Sequence, residues 1–410
     1  MPFVRIAFSW LLCAMLAEFV AAEEWPCWRG PRGDGTSSET NLPTTWSATE
    51  NVVWKTPLTI AGHSSPVTYG ERVFIAGADE TKPSRELAAY DRATGKPLWS
   101  KVVVESPLEK KHKLNSYASG TPAVDAERIY VSFLDKQEMV VAAFSHTGED
   151  VWSVRPGAFS SVHGFCSSPV LYKNLVIVNG DHDGDAYLVA LDRKTGETVW
   201  KTSRENKTRS YCTPIVREVE GRPLLMLSGS KCVAAFDPET GKRRWILDGP
   251  TEQFVASPVY MNGLLYITGG FPDKHIIAID PRGEGKLPES AVVWHHLRRG
   301  VSYVPSPVAV DDYFLITSDE GIASCFDAAN GKLLWQERMG RHYSGSLIAA
   351  GGLVYATDDD GVTKILKPGS KPEILATNKL EEEVYSSLAP SNGKIFIRGA
   401  KHLWCVGKVD

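Results

Sequence analysis

Aromatic and basic side chains recur two to five residues ahead of a repeated Ser/Thr-Pro step. The candidate binding residues are His63, Tyr117, His163, Phe165, Arg209, Tyr211, Tyr303, His342, Tyr343 and Tyr385. Tyr, His and Arg combine rigid apolar area with hydrogen bonds, which suits a peptide, a glycan or another polar ligand. The imidazoles would make such binding sensitive to pH near about 6 to 7. The alternative is that the rings pack against one another and bind nothing.

The densest acidic cluster is Asp181, Asp183 and Asp185, within the run Asp-His-Asp-Gly-Asp. Carboxylate oxygens are ligands that calcium prefers, so these three residues are weak candidates for a metal site. The run is not an EF-hand, because Ala186 stands at the sixth position, where that loop needs Gly. Similar acidic tips at residues 319–321 and 358–361 favour ordinary hairpin turns. We therefore expect no bound metal.

Motifs of familiar enzymes are missing from the sequence. It has no Gly-x-Ser-x-Gly elbow, no His-Glu-x-x-His pair and no Cys-x-x-Cys-His haem site. The net charge is -4, and the longest basic cluster, residues 110–113, is short enough to be a solvated loop. These observations argue against nucleic-acid binding and give no reaction to assign. A catalytic site assembled from distant residues stays open.

The candidate residues belong to a repeat that organises almost the whole chain. Eight units begin at Ser65, Thr121, Ser168, Thr213, Ser257, Ser306, Ser346 and Ser387, six of them before Pro. The starts lie 40 to 56 residues apart, which is the length of one four-stranded propeller blade. Gly- and Pro-rich turns and scarce helical periodicity agree with an all-β chain. The sequence predicts an eight-bladed β-propeller of four-stranded antiparallel blades.

A second motif closes most units and reads Ala-x-Asp-x-x-Thr-Gly-x-x-x-Trp, as from Ala89 to Trp99. The Gly supplies a positive φ for a short hairpin, and the Asp side chain accepts backbone N–H groups inside that turn. A small first residue leaves space for a Trp, which would bury about 150 to 250 Å² between neighbouring blades. The predicted blade-docking residues are Trp54, Trp99, Trp152, Trp200, Trp245, Trp294 and Trp335.

This phrase resembles the tryptophan-docking motif of quinoprotein dehydrogenases, and the chain resembles the PQQ-like repeat superfamily, with a BamB-like size. The opening from Trp25 to Gly35 is similar to that of exported PQQ-like propeller proteins common in planctomycetes. The enzymes of this superfamily hold PQQ beside calcium, and the alcohol-oxidising type has a disulfide between adjacent cysteines. This chain has no Cys-Cys pair and is shorter than those enzymes. Neither PQQ nor calcium is expected.

Closure of the ring is predicted from the two ends of the chain. The last unit ends after Trp404-Cys405-Val406 without an outer strand, whereas Val53-Trp54-Lys55-Thr56 repeats the outer-strand segment 199–202. An N-terminal strand would complete the last blade and remove an open sheet edge. The predicted domains are a signal peptide at 1–22, a turn-rich extension at 23–45 and a single propeller at 46–410.

The first 22 residues read as a secretory signal peptide. Arg5 precedes an apolar run, and Val20-Ala21-Ala22 offers a cleavage site before Glu23. We expect export to the periplasm or the extracellular space and a soluble, monomeric mature protein without membrane insertion. In such a compartment cysteines can oxidise, and Cys166 and Cys212, each just ahead of the innermost strand of adjacent blades, form a possible disulfide.

These patterns favour an exported, non-catalytic binding or scaffold propeller whose partner is an unidentified protein, peptide or glycan. Counting strands places the segments before each Ser/Thr-Pro step on the same face as the hairpins between the second and third strands. The Thr-Gly turns lie on the opposite face. The candidate binding residues would therefore converge at one mouth of the channel. The alternative is an oxidoreductase, PQQ-dependent or of an unrecognised kind, built on the quinoprotein propeller.

Overall fold

Eight four-stranded antiparallel sheets make up the fold in the computed structural model, which describes residues 23–297 and 300–408. The predicted signal peptide lies outside the described residues. Each sheet is one blade, and its strands follow the chain from the channel outward in blades 1 to 7. The one helical element is the 3-10 turn Glu289–Ala291, among the residues described. Nowhere in the same ranges is a helix long and apolar enough to cross a membrane.

Blades 1 to 4 use consecutive segments of the chain. Blade 1 consists of Val67–Tyr69, Arg72–Asp79, Ser84–Asp91 and Pro97–Glu105. Blade 2 consists of Ala123–Val124, Arg128–Asp135, Glu138–Ser145 and Asp150–Ala158. Blade 3 consists of Val170–Tyr172, Leu175–Gly180, Tyr187–Asp192 and Thr198–Ser203. Blade 4 consists of Ile215–Val219, Arg222–Gly229, Cys232–Phe236 and Arg243–Asp248, with Gly285–Lys286 added in parallel at its outer edge.

Blades 5 to 8 complete the ring, and blade 8 takes its outer strand from the start of the chain. Blade 5 consists of Val259–Met261, Leu264–Gly269, His275–Ile279 and Val292–Leu297. Blade 6 consists of Val308–Val310, Tyr313–Thr317, Ile322–Asp327 and Leu333–Arg338. Blade 7 consists of Ile348–Ala350, Leu353–Thr357, Val362–Leu366 and Ile374–Lys379. Blade 8 consists of Ala389–Ser391, Lys394–Arg398, His402–Val406 and Val52–Pro57.

Burial follows from the stacking of blades around the channel. The second strand of blade 3, Leu175–Gly180, is buried at every position, because neighbouring blades cover both of its faces. The outer strand, Thr198–Ser203, buries only Trp200. The hydrophobic clusters accordingly lie between adjacent blades, as where Ile177 and Leu225 belong to one cluster. Non-directional apolar burial across the seams between blades therefore stabilises the ring.

The tryptophan motif locks each blade to the next. Trp99 is the cross-strand partner of the small residue Ala89 in blade 1, and its indole N–H donates to the carbonyl oxygen of His146 in blade 2 at 3.0 Å. At the seam between blades 8 and 1, a Cβ on Gly95 would lie 2.4 Å from the ring of Trp54. Gly95 also has a φ of +71°. The turn thus needs Gly both for its backbone conformation and for the approach of the ring.

Six of the seven predicted docking tryptophans make this indole hydrogen bond. They are Trp54, Trp99, Trp152, Trp200, Trp294 and Trp335, with acceptors at 2.9 to 3.1 Å. Trp245 differs, because it is fully buried and its Nε1 has no hydrogen-bond partner in the described ranges. Blade 7 has Ala376 at the corresponding position, opposite Ile365. The seams between blades 4 and 5 and between blades 7 and 8 therefore lack the standard lock.

The predicted closure of the ring is confirmed. Val52–Pro57 pairs antiparallel with His402–Val406, and Trp54 lies opposite Cys405, the small residue of blade 8. The Trp54 indole N–H donates to the carbonyl oxygen of Arg92 in blade 1. The start of the chain thus supplies both the last strand and the last tryptophan lock. The predicted all-β, eight-bladed fold is confirmed with it.

The extension before this strand crosses the channel on the face of the Thr-Gly turns. Trp25, 1% exposed, exchanges hydrogen bonds with Thr68 of blade 1. Thr36–Ser37 adds in parallel to the inner strand of blade 7. Between these points, Asp34 forms an ion pair with Arg217 of blade 4 at 2.7 Å. The turn-rich segment is therefore an ordered plug, which we call the N-terminal plug and define as residues 23–40.

Candidate functional site

A cavity of about 500 Å³ opens at the channel mouth on the face opposite the N-terminal plug. Residues of all eight blades or of the loops between them line it, as the strand count predicts for segments that precede each inner strand. Six candidate binding residues are among them, namely His63, His163, Tyr211, Tyr303, His342 and Tyr385. The volume lies within the usual range for small-molecule or peptide-end pockets. The role of these residues in binding stays a prediction.

Four candidate binding residues do not line the cavity. Phe165 and Tyr343 are buried in the hydrophobic clusters between blades, where Phe165 packs edge-on against Phe159 with centroids 5.0 Å apart. Arg209 points its guanidinium at Asp183 instead, with both carboxylate oxygens 2.8 Å from Nη1. Tyr117 lies under Lys111, whose Nζ is 4.9 Å from the ring centroid. Adjacent positions in these loops alternate between cavity and core, which a count of two to five residues cannot separate.

Trp28 of the N-terminal plug reaches the cavity from below. Its indole N–H donates to Ser257 Oγ of blade 5 at 2.9 Å, and both residues line the cavity. The next residue, Arg29, is 1% exposed and donates to the carbonyl oxygen of Ser306 at 3.3 Å. The plug therefore forms part of the cavity floor, and the mouth on the opposite face is the approach for a ligand.

The Ser/Thr residues that mark the repeats form a ring around the channel, which we call the hydroxyl ring. The backbone N–H of one member donates to the side-chain oxygen of the next, at 2.9 to 3.0 Å. Six links run from Ser65 to Thr121, Thr121 to Ser168, Ser257 to Ser306, Ser306 to Ser346, Ser346 to Ser387 and Ser387 to Ser65. The repeated hydroxyl thus satisfies a buried backbone donor at most seams.

The hydroxyl ring is interrupted on one side. No such link joins Ser168 to Thr213 or Thr213 to Ser257 in the described part of the chain. The Trp28 indole N–H occupies Ser257 Oγ instead, and the Asn179 amide donates from blade 3 to the carbonyl oxygen of Cys212 at 2.9 Å. Side chains from outside the repeat motif therefore supply the missing contacts between blades 3, 4 and 5.

The loop from blade 1 to blade 2 narrows the mouth. His112 and Leu114 of this loop line the cavity, and the His112 N–H donates to the carbonyl oxygen of His163 at 3.2 Å. Arg85 anchors the base of the loop through an ion pair with Glu109 in which both side chains are buried. The basic cluster at 110–113 is therefore part of a loop held over the mouth, and the sequence interpretation as a solvated loop missed this position.

Burial and charge keep two cavity imidazoles neutral at physiological pH. Burial, together with the nearby cations Arg398 and Lys111, lowers the pKa of His63 to about 4. Burial also lowers the pKa of His163, with Arg209 and His112 acting in the same direction. A neutral imidazole offers one N–H donor and one acceptor to a ligand. The His63 ring lies 4.6 Å from the ring of Tyr385, so the two form a continuous wall.

The opposite wall carries the carboxylates of the cavity. Asp319 accepts the backbone N–H groups of Tyr303 and Val304 at 2.8 and 3.1 Å, and Lys274 Nζ lies 3.9 Å from it. Gln253 donates to the hydroxyl of Tyr303. On the neighbouring blade, His342 Nδ1 lies 2.5 Å from Asp359 Oδ2. The carboxylates near the mouth are thus held by groups of the protein itself.

The acidic cluster is not arranged as a metal site. Asp181 pairs with Arg204 at 2.8 Å, Asp183 with Arg209 at 2.8 Å and Asp185 with Lys207 at 2.6 Å. Each carboxylate faces its own cation, so the three do not converge on a common point. More widely, the described residues include no group of three His, Cys, Asp or Glu side chains placed to hold an ion.

The possible disulfide between Cys166 and Cys212 is not formed in the structure, where both residues are free thiols. The Cys166 thiol faces the carbonyl oxygen of Tyr211 at 3.7 Å, and the Cys212 thiol faces that of Thr213 at 3.5 Å. Burial raises the pKa of Cys166 to about 12 and that of Cys212 to about 11. Both sulfurs are therefore protonated, weakly nucleophilic groups in this fold.

Sequence reasoning missed several residues of the cavity. Phe271, Lys274 and Asp319 lie in the hairpins between second and third strands, on the face that strand counting indicates, so a count extended to the hairpins would have found them. Trp28 could not be found in this way, because it lies 229 residues from its partner Ser257. The hydroxyl ring was visible only as a repeat marker.

Fold and site together define the chain as a PQQ-like repeat propeller with one plugged channel end. A family model described as outer membrane protein assembly factor BamB matches residues 36–116, 84–271 and 272–367. The chain belongs to this BamB family. The crystal structure of BamB from Moraxella catarrhalis is similar with a TM-score of 0.60 at 17% identity, covering 86% of this chain and 96% of that one.

Quinoprotein enzymes are also among the similar proteins. Quinohemoprotein alcohol dehydrogenase from Comamonas testosteroni has a TM-score of 0.66 at 12% identity, covering 94% of this chain and 81% of that chain. The dehydrogenase subunit of alcohol dehydrogenase (quinone) from Gluconacetobacter polyoxogenes is 32% identical over 148 residues. That match covers 32% of this chain and only 20% of the subunit. At these identities the structural likeness establishes the fold alone.

Proposed function

We propose that this protein is a non-catalytic binding propeller that receives a segment of a partner polypeptide in the cavity at its channel mouth. The observation that carries the proposal is the cavity itself, which is open on one face and floored on the other by Trp28. A blind cavity retains a ligand that enters from one side. Its volume and its mix of aromatic walls with a few polar groups fit a peptide segment.

The rim of the cavity favours a peptide over a glycan. Leu114, Val162 and Phe271 are 53%, 60% and 52% exposed, and Leu114 and Phe271 line the mouth. Exposed apolar side chains around a pocket are typical of protein-binding sites, because burying them against a partner's apolar side chains is favourable. Below the rim, Tyr303 offers a partly exposed ring, of the residue type enriched in binding hot spots.

Panning of the full-length protein against a library of ten-residue peptides tests this proposal. We expect enriched peptides whose affinity falls at least tenfold on Tyr303→Ala or Phe271→Ala, because both changes remove aromatic area at the mouth. Lys96→Ala, in a Thr-Gly turn on the opposite face, is the control and should leave affinity unchanged. Binding that survives both aromatic changes and is lost with Lys96→Ala would place the site on the wrong face. Enrichment on a glycan array but not from the peptide library would replace the ligand class.

An oxidoreductase is the second candidate, and the similarity to the quinone alcohol dehydrogenase subunit is the observation that favours it. The residues of the cavity fit PQQ with calcium poorly. The sequence has no adjacent cysteine pair, and within the described ranges Asp319 and Asp359 are engaged by backbone N–H groups or by His342. We propose that the protein works without either cofactor.

Reconstitution with PQQ and Ca²⁺ separates the two candidates. We expect no dye-linked oxidation of alcohols or sugars above that of the protein without PQQ. A rate that rises with PQQ and saturates at one equivalent would reverse the assignment and make the chain an enzyme.

A further inference from the structure

Two buried arginines flank one side of the cavity base without a carboxylate partner. Arg398 is 1% exposed and donates to the carbonyl oxygen of Ile60 at 3.1 Å and to Ser64 Oγ at 3.0 Å. Arg29, also 1% exposed, donates to the carbonyl oxygens of Ser306 and Leu347, both at 3.3 Å. In the described part of the chain the Nε atom of each lacks a hydrogen-bond partner.

The positive charge of these arginines is only partly offset. Carbonyl dipoles stabilise a guanidinium, but a buried cation without a counter-ion carries a large desolvation cost. The nearest acid to Arg29 is Asp34, which forms its ion pair with Arg217 at 2.7 Å. Burial lowers the pKa of Arg29 to about 9 and that of Arg398 to about 10, in the direction expected for cations short of counter-charge. An anion close to both would restore the balance.

Three members of the hydroxyl ring lie between these cations and line the cavity. We call them the serine arc, which consists of Ser346, Ser387 and Ser65. Ser346 adjoins Leu347, an acceptor of Arg29, and Ser65 adjoins Ser64, an acceptor of Arg398. Each arc oxygen accepts one backbone N–H from the preceding blade. Among the described residues none of the three hydroxyl groups has an acceptor, so each has a proton free to donate.

The groups above the arc do not supply an anion of the protein. The carboxylate on this side is Asp359, which lies 2.5 Å from His342 Nδ1 and accepts the N–H and the hydroxyl of Ser344 at 2.7 and 3.0 Å. The remaining wall is the neutral His63 beside Tyr385. Hydroxyl donors polarised by an accepted N–H bond and a nearby positive charge form a suitable environment for an oxyanion.

We propose that the serine arc binds an oxyanion, a carboxylate or a phosphate, through hydroxyl hydrogen bonds, with Arg29 and Arg398 supplying the counter-charge from behind the channel wall. The inference rests on the proposed function, since it places the anionic end of the bound ligand at the base of the cavity. For a peptide, that end is the C-terminal carboxylate, and apolar side chains of the same peptide would meet the rim. A free phosphate would use the same donors.

Calorimetric titration of the full-length protein at low ionic strength tests the site with inorganic phosphate, N-acetyl-leucine and N-acetyl-leucinamide. We expect phosphate and N-acetyl-leucine to bind and the uncharged amide to bind at least tenfold more weakly. Binding of phosphate but not of N-acetyl-leucine would identify the free anion as the source. Equal binding of acid and amide, without binding of phosphate, would overturn the inference while leaving peptide capture intact. Anion binding without any peptide capture would overturn the proposed function alone.

Matched variants locate the site within the hydroxyl ring. Ser387→Ala removes an arc hydroxyl, and Ser168→Ala removes a cavity hydroxyl that serves the same kind of inter-blade link at 2.9 Å, far from both arginines. We expect the first to weaken anion binding at least tenfold and the second to change it less than twofold. Equal losses would overturn the assignment to the arc.

A measurement on the unchanged protein covers the case in which Ser387→Ala fails to fold. The thermal midpoint should rise with phosphate concentration when chloride keeps the ionic strength constant, because a ligand that binds only the folded state stabilises it. An unchanged midpoint up to millimolar phosphate would contradict the proposal.

Discussion

Two seams of the ring are closed in different ways. Between blades 8 and 1, Trp54 locks onto the turn at Gly95, and the backbone of Ser387 donates to Ser65 Oγ. Between blades 4 and 5 both devices are altered. Trp245 has no acceptor for its indole N–H, and the link to Ser257 comes from Trp28 of the N-terminal plug.

The comparison shows which contacts the repeat encodes and which it does not. The seam between blades 8 and 1 joins the two ends of the chain, yet it uses the same residues at the same motif positions as most other seams. The seam between blades 4 and 5 depends on two segments outside the motif, the plug and the insertion strand Gly285–Lys286, whose Gly285 pairs with Trp245. A repeat can therefore lose its own lock where another part of the chain covers the gap.

Deletion of residues 24–58 should have the largest effect on the comparison. It removes the outer strand of blade 8, the Trp54 lock and the plug together, and leaves His402–Val406 as an unpaired edge. We expect aggregation, or a thermal midpoint lowered by tens of degrees, in light scattering and calorimetry. A monomeric product with an unchanged midpoint would mean that the N-terminal strand does not close the ring.

Trp54→Ala should be the most damaging single change at the seam between blades 8 and 1. The side chain is 8% exposed, and truncating a buried Trp costs about 3 to 5 kcal/mol. Urea denaturation gives the change in unfolding free energy. A loss below about 1 kcal/mol would show that the strand pairing, and not the ring, holds the seam.

Trp→Phe substitutions separate the indole hydrogen bond from the packing of the ring. At Trp54 the change leaves the carbonyl oxygen of Arg92 without its donor, and such a bond contributes about 0.5 to 1.5 kcal/mol. At Trp245 the change removes an N–H that has no partner in the described residues, so only the packing loss remains. We expect Trp54→Phe to lose about 1 kcal/mol more than Trp245→Phe in parallel denaturation curves. Equal losses would contradict a difference between the locks.

Acidification should weaken the folded state through His63, which lies beside the first seam. Its pKa is about 4 in the folded protein and about 6.5 in an unfolded chain, so below about pH 6.5 the unfolded state binds a proton that the folded state refuses. The unfolding free energy therefore falls as the pH drops from about 6.5 to about 4. His63→Asn should flatten this part of the stability profile. An unaltered slope would mean that the imidazole is not shielded.

The sequence predicted the ring because the repeat carries the fold locally. Each blade contains its own turn Gly, its small residue and its Trp, so the pattern and the contact lie within one or two units, as for Ala89 and Trp99. Strand counting also identified the face of the cavity. What it could not resolve was side-chain direction in irregular loops, which is why Tyr385 lines the cavity while Tyr343 is buried between blades.

The cavity floor was beyond the reach of the repeat pattern for a different reason. Trp28 and Arg29 acquire their partners only when the ring is complete, because those partners, Ser257, Ser306 and Leu347, lie more than 200 residues away. No local periodicity reports such a contact. The paired cations of Asp181, Asp183 and Asp185 were hidden similarly, since each carboxylate is matched from a neighbouring strand or loop.

The path of the N-terminal plug has a consequence for the order in which the molecule can be built. The first described residues rest on blade 8 through Asn392 and on blade 7 through Ala349, which are among the last segments to be synthesised. During translation the leading segment therefore waits without its seat until nearly the whole chain has emerged. Linear repeat arrays can nucleate anywhere and propagate along their length. Here the earliest residues are the last to find their place, and assembly ends where synthesis began.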